Sequence, residues 1–129
     1  MPTPETLERF IASVEANTHL QAVEDFYAPD VVVQENQSPP RVGRDVQIDR
    51  ERAVKARAMS MQSRCIRPVF VNGDHVAIRW VFRFDWADGT VTEMEEMAVQ
   101  EWRDEQIVRE AFFYDPAQRV PLRPGQAKA

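Results

Sequence analysis

The chain has 129 residues, 43% hydrophobic and 29% charged, with a formal net charge of −5. That length fits one domain with a sizeable core, and the acidic balance argues against nucleic acid as a partner, because phosphate binding needs a basic face. A single cysteine, Cys65, rules out an internal disulfide, and no apolar run approaches the ~18 residues of a membrane span.

The spacing predicts a first helix over residues 4–17. Thr3 suits its N-cap, Pro4 its first turn, and Glu5 the positive end of the helix dipole. Leu7, Phe10, Ile11 and Val14 form its apolar stripe. A second helix, about His19 to Tyr27, turns Leu20, Val23, Phe26 and Tyr27 inward and is stopped by Pro29-Asp30. A strand from Val31 to about Asn36 sets Val31, Val33 and Glu35 on one face. After the Ser38-Pro39-Pro40 loop, a long polar helix runs from Asp45 to about Met61. Its apolar seam is thin, so it reads as a cover lying on a sheet.

From Cys65 onward the pattern is strand. The second strand spans Arg64 to Val71 and ends in the tight-turn dipeptide Asn72-Gly73. The third, Val76 to Trp86, is the strongest signal in the chain. Val76, Ile78, Trp80, Phe82, Phe84 and Trp86 share one face, while Arg79, Arg83 and Asp85 lie on the other. The fourth strand is Thr90 to Arg103 and the fifth Ile107 to Tyr114, with a turn at Asp104-Glu105-Gln106 between them. A three-residue Ala87-Asp88-Gly89 loop sets Phe82 opposite Met94, Trp80 opposite Glu96 and Ile78 opposite Ala98. A two-residue turn would shift the register by one and turn Glu95 inward instead. The three-residue loop is preferred because it also faces Met94, Ala98 and Trp102 inward. Residues 1–118 make one domain and 119–129 a tail, mobile at its end. With helices first and strands later, the fold class is α+β with a mostly antiparallel sheet.

This order, with Phe26-Tyr27-Ala28-Pro29-Asp30-Val31, Gly43-Arg44-Asp45 and the ending Phe113-Tyr114-Asp115-Pro116, resembles the nuclear transport factor 2-like superfamily, and within it the SnoaL-like branch. The resemblance covers roughly residues 5 to 118. It implies a cone-shaped barrel: a strongly curved sheet wrapped around three N-terminal helices, with a pocket open at one end. Relatives of this kind include steroid isomerases, polyketide cyclases, epoxide hydrolases and dehydratases, and also binding proteins without chemistry, so fold leaves function open. The resemblance puts Glu35, in Val33-Gln34-Glu35, at the general-base position of the steroid isomerases. The oxyanion-donor positions of those enzymes fall on Ile11 and near Ala98, so that pair of donors is missing here. The acid–arginine–acid set of the epoxide hydrolases is not visible either, because Arg79 and Arg83 fall on the outer face.

The candidate catalytic residues are therefore Glu35, Glu96 and Glu110. A carboxylate on an apolar wall has its pKa raised by desolvation and becomes a proton shuttle near neutral pH. Each has a plainer alternative: Glu35 could pair with Arg41 or Arg44, Glu96 with an outer-face arginine, and Glu110 with Arg103 or Arg109 at the rim. Trp80, Phe82, Met94, Phe112 and Tyr114 are the candidate substrate-binding residues. The expected ligand is a small apolar oxygen-bearing organic molecule. Neither His19 nor His75 sits at a metal-ligand spacing and no Gly-rich loop precedes a helix, so no metal and no cofactor is expected. The outer sheet face, with Arg79, Val81, Arg83, Met97 and Val99, mixes charged and apolar groups, and the resemblance implies that it packs against a second copy as a homodimer. The N-terminus lacks the basic and apolar regions of a signal peptide, so a cytoplasmic location is expected, with no membrane partner.

Overall fold

The computed structural model describes residues 1–126. Helix α1 (Pro4–Glu15) begins where expected: the Thr3 side chain accepts a hydrogen bond from the Thr6 amide, and Pro4 opens the first turn. Helix α2 is His19–Phe26. Strand β1 (Tyr27–Glu35) follows with no loop, four residues earlier than the sequence pattern suggests. Pro29 lies inside this strand, where the pairing with β6 shifts register between Tyr27 and Val32. An irregular edge of this kind tolerates a residue without an amide hydrogen. A short β2 (Arg41–Val42), not foreseen from the sequence, pairs with Val32 and Val33.

Helix α3 is Arg44–Arg57. The expected helix continues to Met61, but the chain turns extended at Ala58 and runs as β3 (Ala58–Asn72). The reason is β4 (His75–Trp86), whose far half needs a partner: Ala58 pairs with Trp86 and Met61 with Phe84. The turn between these strands is Gly73-Asp74 rather than Asn72-Gly73, because Asn72 still pairs with His75. Strand β5 (Val91–Arg103) meets β4 in the expected register: Phe82 with Met94, Trp80 with Glu96 and Ile78 with Ala98. The Ala87-Asp88-Gly89 loop is closed by the Trp86 amide on the Thr90 carbonyl at 2.9 Å. Gly89 has a positive φ of 87°, a conformation that favours glycine. Strand β6 (Gln106–Phe113) completes a single sheet of order β2-β1-β6-β5-β4-β3, antiparallel except for the β1–β6 pair. The α+β architecture and the mostly antiparallel sheet are thus as the sequence indicates.

The core lies between α1, α2 and the inner face of this sheet. Val31, Val33, Ile78, Trp80, Ala98, Trp102 and Ile107 are buried against Phe10, Ile11, Val23 and Phe26. Each fully buried aliphatic side chain contributes about 1.5–3 kcal/mol relative to exposure. Helix α3 buries only Gln47, so it covers the sheet and does not build the core. Beyond β6, a short 3-10 turn (Pro116–Arg119) folds back onto β5, where Gln118 accepts from the Glu95 amide at 2.7 Å. Leu122 then pairs with Val91, so this stretch of the expected tail lies on the domain. The last residues, 127–129, for which mobility is expected, lie outside the described residues.

Candidate functional site

The inner face of β4 changes character along its length. Val76, Ile78 and Trp80 are core, Phe82 is nearly so, and Phe84 and Trp86 are only half-buried. Their rings form a continuous ladder: Trp80 stacks on Phe82 with centroids 5.5 Å apart, Phe82 and Phe84 are 6.2 Å apart, and Phe84 stacks on Trp86 at 5.1 Å. The half-buried rings face a cavity of about 280 Å³ rather than packed side chains. Met94 and Thr92 of β5 and Phe112 of β6 continue the wall. The Trp86 indole donates to Thr92 Oγ1 at 2.7 Å, which fixes the ring at this end. The other side comes from helices: Val23 and His19 of α2, and Gln47, Arg50, Glu51, Val54 and Arg57 of α3. Those α3 positions are spaced at i, i+3, i+4, i+7 and i+10, one helical face.

Four glutamates enter this cavity: Glu35, Glu51, Glu96 and Glu110. Glu35 ends β1 and is held by several donors. Arg41 Nη1 lies 2.6 Å and Arg50 Nη2 3.3 Å from its Oε2, and the Tyr114 hydroxyl donates to its Oε1 at 2.8 Å. Arg41 is itself fixed through Nε on Gln47 Oε1 at 2.8 Å. Burial pushes the Glu35 carboxyl up, but Tyr114 and Arg41 together outweigh it and hold the group below the usual carboxylate range. The raised pKa expected from an apolar wall is thus reversed, because the wall at this point is cationic.

Glu110 is the opposite case. It is fully buried, receives a hydrogen bond from the Tyr27 hydroxyl on Oε1, and accepts from Gln100 Nε2 on Oε2 at 2.6 Å. Gln100 Oε1 in turn accepts from the Trp102 indole at 2.9 Å. Burial dominates these bonds and pushes Glu110 up to about 7. Among the described residues, Glu96 and Glu51 have no guanidinium within ion-pair distance; burial and then the charge of Glu110 push them up to about 8 and about 7. His19 lies 3.9 Å from Glu51 and bonds Ser63 Oγ through Nε2 at 2.8 Å. Burial lowers its pKa, so it faces Glu51 as a neutral ring. The cavity therefore combines one ionised carboxylate with carboxyl groups that keep their protons near neutrality. Among the described residues, no group of three or more His, Cys, Asp and Glu is arranged to hold a metal ion.

The family model of the SnoaL-like domain matches residues 7–110. The chain belongs to the SnoaL-like domain family. No curated protein matches the sequence. Among solved structures, a candidate polyketide cyclase from Pseudomonas putida is similar with a TM-score of 0.73 at 16% identity, over 93% of this chain and 96% of that one. A protein from Catenulispora acidiphila with a ketosteroid isomerase-like fold, solved with trimethylamine, is similar with a TM-score of 0.72 at 18% identity, over 90% and 89% of the two chains. An epoxide hydrolase-like protein from M. tuberculosis has a TM-score of 0.71 at 15% identity, over 86% and 80%. At these identities the likeness concerns the fold, and the two activities named, cyclase and epoxide hydrolase, differ.

In this SnoaL-like domain the three candidate carboxylates, Glu35, Glu96 and Glu110, all reach one cavity, together with Trp80, Phe82, Met94 and Phe112. Tyr114 does not line it. Strand β6 ends at Phe113, and Tyr114 turns away with its amide on Asn36 Oδ1, spending its hydroxyl on Glu35. Glu95 pairs with Arg79 on the outer face, so the glutamate opposite Trp80 is the one that turns inward. Arg41 takes the Glu35 pairing that the sequence offered as the plainer alternative, while Glu51, Arg50 and Arg119 have no place among the candidate residues. The face shared by Gln47, Arg50, Glu51, Val54 and Arg57 was a readable signal for the helical ones. Arg119 had none, since its place depends on the tail folding back.

Proposed function

We propose that this SnoaL-like pocket protein binds a small apolar, oxygen-bearing organic molecule and moves a proton on it, as an isomerase, cyclase or lyase that uses no cofactor. The observation that carries this reading is the divergence of two carboxyl groups in one cavity. Glu35 is held ionised by the Tyr114 hydroxyl and its arginine neighbours, while Glu96 keeps its proton up to about 8. Environments that push two such groups apart divide the work between a base and an acid. Glu35 accepts the proton; Glu96 donates to the developing oxyanion, supplying what Ile11 and Ala98 cannot. Glu110, tied to Tyr27 and Gln100, is the alternative acid. Trp80, Phe82, Met94 and Phe112 hold the apolar body, and Tyr114 acts through Glu35 by orienting it. Similarity to a candidate polyketide cyclase supports chemistry of this class.

The test is proton exchange. In D₂O, the protein should accelerate exchange of the proton α to the carbonyl of 1- or 2-tetralone, followed by proton NMR. Glu35→Gln and Glu96→Gln should each lower the rate by about 10²–10⁴-fold. A second reading, binding without chemistry, is favoured by one observation: three donors already occupy Glu35 and weaken it as a base. Ligand-induced shifts with no accelerated exchange would decide for that reading.

We also propose that a second copy packs on the outer sheet face, where Val99 and Phe113 are exposed. Light scattering behind size exclusion should give a dimer, and a monomer at micromolar concentration would end that proposal. The lone, unpaired Cys65 supports placing the protein in the reducing cytoplasm.

A further inference from the structure

We infer that the ligand of this cavity carries a carboxylate, seated between the guanidinium groups of Arg50 and Arg119 with its apolar body along the Phe82–Phe84 wall. The inference rests on reading the cavity as a ligand site and adds the charge of what it holds. Three arginines, Arg41, Arg50 and Arg119, converge on a single carboxylate, Glu35, at 2.6, 3.3 and 3.9 Å. Elsewhere on the molecule Arg67, Arg79 and Arg83 each hold a carboxylate of their own. Among the described residues, the other cavity carboxyls, on Glu51, Glu96 and Glu110, have no guanidinium partner within ion-pair distance.

Three guanidinium groups thus stand against the one carboxylate they reach, in a protein whose net charge is −5. Each guanidinium has five N–H donors in a planar fork. Arg50 spends Nη2 on Glu35, and Arg119 spends Nη1 on the Tyr114 hydroxyl at 3.3 Å. Their remaining donors belong to side chains that line the cavity yet reach solvent, with exposures of 44% and 55%. That combination places them at the cavity's rim. A planar carboxylate matches such forks in two parallel hydrogen bonds. Burial raises Glu51 to about 7 and Glu96 to about 8, so at neutral pH they offset the arginine charge only in part. The aromatic ladder beside this cluster suits a flat apolar body attached to the anion.

The matched probes are 2-naphthoate and 2-naphthamide, which share shape and differ in charge, measured by calorimetric titration at neutral pH. Naphthoate should bind roughly tenfold or more tightly than the amide, and the preference should shrink in about 0.5 M salt, as expected for a rim exposed to solvent. The double variant Arg50→Gln, Arg119→Gln should close the gap, and the Arg50→Lys, Arg119→Lys pair should restore part of it; circular dichroism checks that both remain folded. Equal affinities in the unsubstituted protein, or a preference that survives the double Gln variant, would overturn the inference while leaving the ligand cavity in place. Failure of both probes to bind would count against the inference and the ligand cavity together.

Discussion

Gln100 Nε2 donates to Glu110 Oε2 at 2.6 Å, with both side chains sealed from solvent. The same amide uses its oxygen to accept from the Trp102 indole, so a chain of four polar groups, Tyr27, Glu110, Gln100 and Trp102, is fully satisfied inside the core. Replacing its middle member strands both neighbours. Gln100→Leu keeps the volume but leaves the indole N–H unpaired and Glu110 with one donor fewer. We expect a loss of about 2–4 kcal/mol in denaturant unfolding, because unsatisfied buried groups keep their full desolvation cost. A loss within experimental error would mean that water reaches this network.

The buried glutamates set an unusual pH dependence of stability. Glu51, Glu96 and Glu110 are raised from 4.5 to about 7, 8 and 7 on folding. Between the unfolded and folded values the folded chain binds more protons, so their contribution is complete below the unfolded pKa and is lost as pH rises through the folded ones. Glu35 and Asp85, with lowered values, act oppositely: their contribution is present above the usual carboxylate range and is lost on acidification. His19, also lowered, offsets part of the alkaline loss near its usual 6.5. Three raised carboxyls outweigh one histidine. The melting temperature should therefore be higher at about pH 5.5 than at about pH 8, by roughly 5 °C, as read by calorimetry. Glu96→Gln should flatten the most alkaline part of the fall, and a wild-type curve that rises towards pH 8 would contradict this account.

Most of the fold was legible because its signals are local. The alternation in β4, the Thr3 cap and the loop ending in Gly89 each have a mechanism within a few residues, and together they fix the register that turns Glu96 inward. What could not be read depends on distant partners. Ala58 to Met61 suits helix or strand by composition; only the overhang of β4 makes it strand. Glu35 was readable as a wall residue, and its pairing with Arg41 as one alternative; which of the two set the sign of its pKa shift was not, because that depends on the Tyr114 hydroxyl and on β2 bringing Arg41 close. Glu51 was hidden by the polar character of its helix, whose charged residues face both solvent and cavity.

If Glu35 takes the proton and Glu96 gives one, activity has a defined pH profile. Both must be in the right state, so kcat/KM should be flat from about pH 5.5 to 7 and fall tenfold per pH unit above about 8, as Glu96 loses its proton. Glu96→Gln should lower the rate and also remove that alkaline limb, leaving the profile of Glu35 alone. An unchanged limb in Glu96→Gln would assign it to another group, Glu110 first, since it too lies in the cavity.

The change from core to cavity along β4 predicts a gradient of mutational cost on one face of one strand. Ile78 is wholly enclosed, and Ile78→Ala should cost about 2–5 kcal/mol, the sum of lost burial and the void left behind. Phe84 is larger but only half-buried, set between Phe82 and Trp86 and lining the cavity. Phe84→Ala removes a ring already bordered by open space, so no new enclosed void is made, and it should cost below about 2 kcal/mol. Urea unfolding of the two variants compares them directly. If the phenylalanine variant proves the more damaged, the ladder is packed at that point and the space beside it is not available to a ligand.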